Sequence, residues 1–459
     1  MKYLLQFTAS HHETFWLPEL DSILEMYGTD PLAAYDHKKA WENVALGSMA
    51  TPFLIVELES EKLAKFIGER AILTKRVMEL WGHGATFEEA SEEVRRHPEK
   101  LSSPYFSEEV SWSIQVAAAG YTYTMEEQEK LRKLFAHMPF RGPVQCRKPM
   151  QLFMLWGDFD CEDGYREGRL PKWVYFGRRI SDGNRDLIGR FDLKKRSYLG
   201  PTSMDNELSL VMANMVKARP GAICFDPFVG TGSILVACTH FGAFCMGTDI
   251  DVRVLKGKDG KNVYTNFEQY GLAQPELIRS DNALYNRHFR EVELYDSVVC
   301  DPPYGIRAGA RKSGRQGGNP RPVAPEDRWD HVPHTQPYPV EDVLVDLLDV
   351  SAQTLVMGGR LCYLLASTWD FDIKVDLPRH PCLELRFDSV QGLTQIMCRR
   401  LITMVKVRPY SRALRGHYLS VCRGQSSDRS QLPFSSLRAR TFEGVDGQVT
   451  RRAWEEAGG

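Results

Sequence analysis

The chain has 459 residues, of which 43% are hydrophobic and 26% charged, and its formal net charge at pH 7 is −2. This composition is typical of a folded globular protein of roughly three domains, which excludes a disordered chain, and the charge alone does not indicate a nucleic-acid binder. No apolar run approaches membrane-spanning length and the ten cysteines include no C-x-x-C pair, so we expect buried reduced thiols, no metal site, no membrane contact and a cytoplasmic location.

The first 80 residues alternate between strand-like and helix-like patterns. Apolar residues with helical spacing, starting at Leu17 and Leu20, predict a helix over 17–27. The predicted strands are 3–8, 41–46, 53–58 and 72–80, and a second helix covers 62–69. The order βαββαβ predicts a ferredoxin-like domain over 1–80.

A second α+β region follows at 81–176. Helices are predicted over 87–96 and 124–137, and strands over 112–118, 151–155 and 172–176. This region is too short to stand alone, so we expect it to pack on the first domain. Residues 177–200 are rich in basic side chains and are predicted to form a linker.

A strand, a glycine turn, a helix and a second strand come next. The first strand ends at Asp226, the turn contains Gly230 and Gly232, and the second strand ends at Asp249 and Ile250. Glycine allows the backbone to approach a ligand closely. An acid about twenty residues beyond such a turn is positioned for the hydroxyls of a ribose. The pattern therefore predicts a nucleotide-binding βαβ unit.

The acid at Asp226 indicates the class of cofactor. A carboxylate beside the turn would repel a pyrophosphate, whereas it suits a ligand with a positive centre and an amine. S-Adenosylmethionine has both. A further acid, Asp281, closes the next apolar strand and is expected near the adenine amino group. Each acid alone is explained equally well as a loop residue or turn cap, but acids at four successive strand ends favour a binding site.

The fourth of these acids opens the tetrad Asp301-Pro302-Pro303-Tyr304, directly after the apolar stretch 297–300. Neither proline has an N–H for a helix start, so the chain must leave the sheet as a stiff, extended loop. The carboxylate and the Pro302 carbonyl can accept both hydrogens of a planar exocyclic amine, and Tyr304 can stack on the ring that carries it. We predict these four as the catalytic residues; a plain β-turn is the alternative.

The segment after the tetrad is glycine-rich and basic, with five Lys or Arg and no acid between residues 305 and 321. Basic residues beside a site can contact phosphates. We therefore predict that Arg307, Arg311, Lys312 and Arg315 bind RNA, with a solvated surface loop as the alternative.

Further βα units complete the second half of the chain. A helix is predicted over 340–350, a strand over 360–365 after a break at Gly358-Gly359, and two final strands over 383–387 and 401–407. Together they predict a doubly wound, seven-stranded sheet with one antiparallel strand over 201–410. Residues 411–459 are expected to form a partly disordered polar extension.

The stretch Asp226-Pro-Phe-Val-Gly-Thr-Gly232, followed by Asp301-Pro-Pro-Tyr-Gly305, resembles the motifs of class I, amino-directed methyltransferases. Further stretches at 79–84, 175–183, 194–205, 380–385 and 399–404 are similar to the catalytic subunits of eukaryotic and archaeal tRNA guanosine(10)-N2-methyltransferases. The resemblance implies a Rossmann-like α/β methyltransferase domain preceded by an α+β ferredoxin-like and THUMP RNA-binding region, with 81–176 as the THUMP-like part. It weakens at 253–266 and after Pro409.

That family implies S-adenosylmethionine as cofactor, tRNA as substrate and the N2 amine of guanosine, at position 10, as methyl acceptor. It also implies a heterodimer with a small zinc-binding activator protein. Two alternatives stay open: an N6-adenine nucleic-acid methyltransferase, which shares the tetrad but which the N-terminal region disfavours, and a non-catalytic RNA-binding scaffold, which would have no need of the acids.

The resemblance also assigns roles to individual residues. Thr202 and Ser203 would open a helix over the cofactor carboxylate, where hydroxyls and free N–H groups favour an anion. The methionine end of the cofactor would lie against Asp226, Gly230 and Gly232, the ribose against Asp249 and the adenine against Asp281 and Asn282. Ile250, next to Asp249, is also predicted to bind the cofactor.

Overall fold

A computed structural model describes residues 1–8, 12–47, 50–102, 104–159, 169–201, 203–303, 310–314, 323–327 and 334–424. The chain divides into two compact units, Met1–Arg185 and Asp186–Gly459. Each unit has its own sheet and hydrophobic core. Among the helices within the described ranges, none has both the length and the apolar character that a bilayer crossing requires.

The first unit contains one six-stranded sheet. Its strands are β1 (Lys2–Phe7), β2 (Phe53–Glu57), β3 (Thr74–Gly84), β4 (Trp112–Ala119), β5 (Gln151–Asp158) and β6 (Trp173–Asp182), and its helices are α1 (Glu13–Tyr27), α2 (Pro31–Ala34), α3 (His37–Val44), α4 (Glu61–Arg70), α5 (Phe87–Arg95), α6 (Pro98–Leu101) and α7 (Met125–Lys133). The strand order is β2-β1-β3-β6-β5-β4. Only β4 and β5 pair in parallel among these neighbours.

The segment 41–46, predicted to be a strand, lies mostly in helix α3. The Asp36 side chain caps this helix by accepting a hydrogen bond from the Lys39 N–H at 3.1 Å. Ala40 and Val44 are buried, and their four-residue spacing is that of one helical face. The prediction was wrong because the cap and this apolar spacing together favour a helix over the β-propensity of a few side chains.

Strand β6 is longer than the predicted strand 172–176. It continues to Asp182, so the predicted linker at 177–200 begins inside the sheet. Through β6, the two predicted parts of the N-terminal region share one sheet. Phe153 and Phe176 from this sheet are buried in a common core with Trp81.

The second unit contains a seven-stranded sheet and a separate two-stranded hairpin. Its strands are β7 (Ile223–Asp226), β8 (Phe244–Asp249), β9 (Glu276–Arg279), β10 (Tyr295–Cys300), β11 (Arg311–Ser313), β12 (Thr335–Pro337), β13 (Leu355–Thr368), β14 (Leu383–Gly392) and β15 (Met397–Lys406), and its helices are α8 (Asp186–Arg190), α9 (Asn206–Met215), α10 (Ser233–His240), α11 (Val252–Lys256), α12 (Val263–Tyr270), α13 (Tyr285–His288), α14 (Val340–Thr354) and α15 (Arg415–Cys422). The large sheet has the order β14-β15-β13-β10-β7-β8-β9, and β11 pairs with β12.

Within the large sheet, β15 is antiparallel to both of its neighbours and the other pairs are parallel. The predicted seven-stranded, doubly wound sheet with one antiparallel strand is confirmed. Strands β10, β7, β8 and β9 lie side by side and point the same way. Their carboxyl ends therefore meet at one edge, where open α/β sheets bind ligands.

Two boundaries in this unit differ from the prediction. Helix α9 begins at Asn206 and is capped by Asp205, which accepts the Leu208 N–H at 3.0 Å, so Ser203 lies before the helix. Thr202 lies outside the described residues. Gly358 has a φ of 75° and lies within β13 beside a register shift, so the glycine pair forms a bulge and not a break.

Residues 411 to 424, the first part of the predicted polar extension, are folded. They contain helix α15, on which Tyr418 and Cys422 are buried in the main core of the second unit. Apolar side chains spaced four residues apart on a short helix gave too weak a pattern to detect in this arginine-rich stretch. Residues 425–459 lie outside the described ranges.

Candidate active site

Four carboxylates lie at the carboxyl edge of the large sheet. Asp226 and Asp249 are the last residues of β7 and β8, Asp301 follows β10, and Asp281 comes two residues after β9. Since these strands are neighbours, the structure brings the predicted acids to one edge. The order of the sheet reverses between β7 and β10, which opens a crevice for a ligand at this point.

Asp226 is almost completely buried. Its Oδ1 accepts a hydrogen bond from the Phe228 N–H at 2.8 Å. Burial raises the pKa of Asp226 well above its ordinary range, and the charges of Asp249 and Asp301 raise it further. Because the carboxylates repel each other, a positively charged ligand between them would be stabilised.

Asp249 holds the glycine turn. Its carboxylate accepts the Gly230 N–H at 3.0 Å and the Asp251 N–H at 2.8 Å. Burial raises the pKa of Asp249, although these backbone donors oppose the shift. Ile250, the next residue, is partly exposed beside it. The bonds connect the predicted ribose acid to the turn, so both are fixed together.

The glycine turn adopts a conformation that other residues rarely reach. Gly230 and Gly232 have φ values of 51° and 80°. A Cβ on Gly232 would lie 2.7 Å from Cγ1 of Val263, whereas a Cβ on Gly230 would meet nothing closer than the Phe228 oxygen at 3.9 Å. The turn is therefore packed on its inner side and open at Gly230, as close approach of a ligand requires.

Sequence patterns did not identify the residues that support this turn. Asn266 is fully buried on α12, and its amide donates to the carbonyls of Thr231 at 3.2 Å and Tyr198 at 2.9 Å. The Ser203 and Thr231 hydroxyls are 2.8 Å apart. Ser203 thus reaches the turn through a hydroxyl pair and not from a helix N-terminus. Arg196, buried as well, donates to the Ser233 hydroxyl at 2.5 Å.

On the predicted adenine side, Asp281 and Asn282 are both buried. Asp281 accepts the Ala283 N–H at 2.9 Å and the Ser313 N–H at 2.6 Å. Within the described part of the chain, neither Oδ1 nor Nδ2 of Asn282 has a hydrogen-bond partner. A buried amide without partners costs free energy. A ligand that offers both a donor and an acceptor, as the edge of adenine does, would satisfy it.

The structure describes the predicted catalytic tetrad as far as Pro303. Pro302 is buried, and Asp301 and Pro303 are partly exposed at the end of β10. Tyr304 lies outside the described residues, as do the predicted RNA contacts Arg307 and Arg315. The structure therefore places the predicted acceptor carboxylate and the rigid prolines at the sheet edge beside Asp226.

The other two predicted RNA contacts lie on strand β11. The Arg311 guanidinium is exposed and donates to the Thr335 carbonyl at 2.8 Å. The Lys312 ammonium lies 3.8 Å from Oδ2 of Asp342 and 5.3 Å from the ring centre of Tyr338. Both cations have protein partners, and only Arg311 is exposed enough to contact a large ligand without rearrangement.

Two family models match the chain: a Tmrp11 THUMP N-terminal domain over residues 1–185 and an RMKL-like methyltransferase domain over residues 194–316. The chain is 35% identical over 462 residues to the tRNA (guanine(10)-N(2))-methyltransferase TRMT11 of Homo sapiens, with 96% of each chain covered. It is 37% identical over 438 residues to the protein of that name from Dictyostelium discoideum, covering 92% of this chain and 85% of the relative. The solved structure of TrmN from Thermus thermophilus is similar at 16% identity and a TM-score of 0.43, covering 89% of this chain and 100% of that one.

Proposed function

Because the chain belongs to the tRNA (guanine(10)-N(2))-methyltransferase family, we propose that it methylates the N2 amine of guanosine 10 in tRNA at the edge formed by β7–β10. It is an S-adenosylmethionine-dependent tRNA guanine-N2 methyltransferase. The observation that carries the site assignment is the buried Asn282 amide, which has no hydrogen-bond partner among the described residues and lies next to Asp281, at the same sheet edge as three further strand-end acids.

The residues present fit the cofactor. Asp281 and Asn282 would hold the adenine, Asp249 the ribose hydroxyls, and the open face of the turn at Gly230 the methionine end. The mutual repulsion that raises the pKa of Asp226 would be relieved by a positive charge on the ligand. When bound, S-adenosylmethionine supplies a methyl group activated by a sulfonium.

The tetrad then positions the acceptor. Asp301 and the Pro302 carbonyl accept hydrogen bonds from the guanine amine, and Tyr304 stacks on the base. The amine is a poor nucleophile because its lone pair is delocalised into the ring. Two fixed acceptors favour the pyramidal nitrogen, and the Asp301 charge stabilises the positive charge that develops on it. These roles do not require a histidine base.

The tRNA backbone would be held by the N-terminal unit and by the basic segment after the tetrad. Arg311 is exposed on strand β11, whose Ser313 N–H donates to Asp281, and Arg307 and Arg315 are close to it in sequence. Lys312 would contribute charge while held by Asp342. Such contacts position the RNA without reading its sequence.

A small zinc-binding activator protein is proposed as the partner in a heterodimer. Strand β9 forms one edge of the large sheet, and its Ile278 is 53% exposed, with Phe244 at the start of the neighbouring β8 64% exposed. An edge strand beside exposed apolar side chains favours a partner that adds a strand. Strand β8 itself lies between β7 and β9 and has no free edge.

We also propose a cytoplasmic location. Eight of the nine cysteines within the described residues are buried, and all nine are free thiols. Free thiols of this kind are typical of proteins in a reducing compartment.

The proposal is tested with unmodified tRNA transcripts and labelled S-adenosylmethionine. A transcript with guanosine at position 10 should yield N2-methylguanosine by nucleoside mass spectrometry, whereas one with inosine at that position, which lacks the amine, should yield none. N6-Methyladenosine as the product would favour the adenine-directed alternative. No methylated nucleoside, with the chain alone or with the activator, would favour a non-catalytic scaffold.

A further inference from the structure

A residue of the C-terminal helix α15 is hydrogen-bonded to Tyr285, which follows the turn that contains Asn282. Helix α15 packs against α14, and its first residue, Arg415, has a side chain that is 30% exposed. The Arg415 guanidinium donates to the Tyr285 hydroxyl, at 3.2 Å from Nε and 3.0 Å from Nη2. Tyr285 directly follows the 3₁₀ turn Asn282–Leu284. A residue from the C-terminal segment is therefore linked to the predicted adenine turn.

A buried carboxylate fixes this link. Asp349 on α14 is fully buried and accepts hydrogen bonds from the Tyr285 hydroxyl, from Arg415 Nε at 3.2 Å and from the Tyr410 hydroxyl at 3.3 Å. His380 Nε2 lies 3.2 Å from its other oxygen. These contacts surround Asp349 with donors, as a buried charge requires.

The Tyr285 hydroxyl is the central group of the network. Burial, and then the Asp349 charge, raise the pKa of Tyr285 far above its ordinary value, so the hydroxyl stays protonated. It can donate to Asp349 and at the same time accept from Arg415. Since Tyr285 is itself fully buried, its backbone can hardly shift without breaking both bonds. The network therefore restricts the orientation of the preceding turn and of the Asn282 amide.

We propose that Arg415 is a positioning residue for adenine recognition, acting through Tyr285 and the turn Asn282–Leu284. The proposal rests on the proposed role of Asn282 in binding adenine. It assigns a function in cofactor selection to the C-terminal helix α15.

The test compares two ligands on the full-length chain by calorimetry: S-adenosylhomocysteine and S-inosylhomocysteine. Inosine carries an oxygen in place of the adenine amine, so a well-oriented amide and carboxylate should reject it. Wild type should prefer the adenosyl compound, and Arg415→Gln and Tyr285→Phe should each lower that preference about tenfold, the loss of one good hydrogen bond. Arg415→Lys should retain part of it.

Arg400→Gln is the matched control. The substitution breaks the ion pair between Arg400 on β15 and Asp388 on β14, whose charged atoms lie 2.5 Å apart. It should therefore lower the thermal midpoint of unfolding as Arg415→Gln does, while the preference for the adenosyl ligand stays at the wild-type value. A preference that fell equally in this control would assign the effect to general destabilisation and overturn the proposal.

Asn282→Ala separates this proposal from the assignment on which it rests. If that variant keeps the full preference, Asn282 does not read adenine and the proposed site is wrong. If it loses the preference while Tyr285→Phe and Arg415→Gln keep it, only the positioning role is overturned.

In the Asn282→Ala background, Arg415→Gln should change the preference no further; an equal additional loss would also contradict the proposal. Should Arg415→Gln fail to fold, Tyr285→Phe decides.

Discussion

Asp301 stands at the end of β10, where the chain leaves the sheet through two prolines. We expect Asp301→Ala to lower kcat about a hundredfold or more, because an acceptor aligned with the amine is lost. The Kd for S-adenosylhomocysteine should change by less than about twofold, since we propose that Asp301 binds the base and not the cofactor. Single-turnover methylation of tRNA and calorimetry measure the two effects.

The matched control is Asp296→Asn, in the same strand. Asp296 accepts the Ile223 N–H at 2.9 Å and lies outside the site, so both kcat and Kd should stay near wild type. Near wild-type turnover in Asp301→Ala would remove the tetrad from the proposed mechanism.

The raised pKa of Asp226 predicts a pH dependence of cofactor binding, and comparing two ligands can isolate it. S-Adenosylmethionine and S-adenosylhomocysteine differ by a methyl group and one positive charge. Burial and the neighbouring acids raise the pKa of Asp226, so acid protonates it at a pH where an ordinary Asp is still charged. Only the carboxylate attracts the sulfonium. The preference for S-adenosylmethionine should therefore fall as pH is lowered from about 8 to about 5.

Binding titrations across that range measure the preference directly. In Asp226→Asn the preference should be low already at about pH 8 and should change less with pH, the remainder coming from Asp249, whose pKa is also raised. A wild-type preference that does not vary with pH would place the sulfonium away from these carboxylates.

The strand-end acids could be found from sequence because each follows a short apolar run. The supports of the glycine turn could not. Asn266 contacts Thr231 and Tyr198, which are 35 and 68 residues away along the chain. No local pattern links such partners. Likewise, only the folded structure shows that the Asn282 amide has no hydrogen-bond partner within the described residues.

At the scale of elements, whether a segment forms a helix or a strand was predicted better than where that element begins and ends. The predicted strand at 41–46 and the predicted helix start at Thr202–Ser203 share a cause: in both places an Asp nearby caps a helix, Asp36 for α3 and Asp205 for α9. One capping bond contributes about 1 kcal/mol. A free-energy difference of that size can move the end of a helix. Several residues in each stretch have side chains that can cap a helix N-terminus.

Strand β11 lies in the segment that the sequence predicted as a basic, glycine-rich loop, and it pairs with β12. Its Ser313 N–H donates to Asp281 at 2.6 Å, and Ala310, just before β11, is buried beside Tyr338. The segment is therefore attached to the adenine side of the site. Contacts with residues 24 to 32 positions away along the chain hold it, and glycine-rich composition alone cannot reveal them.

We predict that neutralising Arg311, Lys312 and Arg315 together weakens tRNA binding and makes it less sensitive to salt. Each phosphate contact that is lost should reduce the log–log salt slope by about one unit. Lys312→Met alone should change the slope less, because its ammonium is paired with Asp342. Filter binding at several salt concentrations gives the slopes.

Arg219→Gln provides the control, since it removes one exposed cation that precedes β7, at the amino edge of the sheet opposite the site, and should leave the slope unchanged. An unchanged slope in the triple variant would identify the segment as a solvated surface loop. A full unit lost in Lys312→Met would show instead that its ammonium leaves Asp342 for a phosphate.

At the scale of the whole molecule, the sequence predicted that the second half of the chain forms a seven-stranded sheet. It did not predict which strands lie at the two edges of that sheet. Alternating strands and helices indicated a doubly wound sheet, and the final hairpin indicated the antiparallel strand. Which strand lies at an edge depends on strand order, which local patterns do not encode. In the structure β9 and β14 are the edges, whereas β8 is enclosed.

The edge at β9 leads to a prediction about assembly. We expect the chain purified alone to be poorly soluble or weakly active, and co-expression with the zinc-binding activator to restore a monodisperse, active complex, because exposed apolar side chains would then be covered.

Phe244→Asp and Ile278→Asp should weaken that complex, seen as dissociation on size-exclusion chromatography, since each places a charge in the proposed contact. Val375→Asp, at a residue 63% exposed outside the β8–β9 edge, is the control and should leave the complex intact. A fully active, monodisperse lone chain would refute an obligatory partner, and a complex that tolerates both edge substitutions but not the control would place the partner on another face.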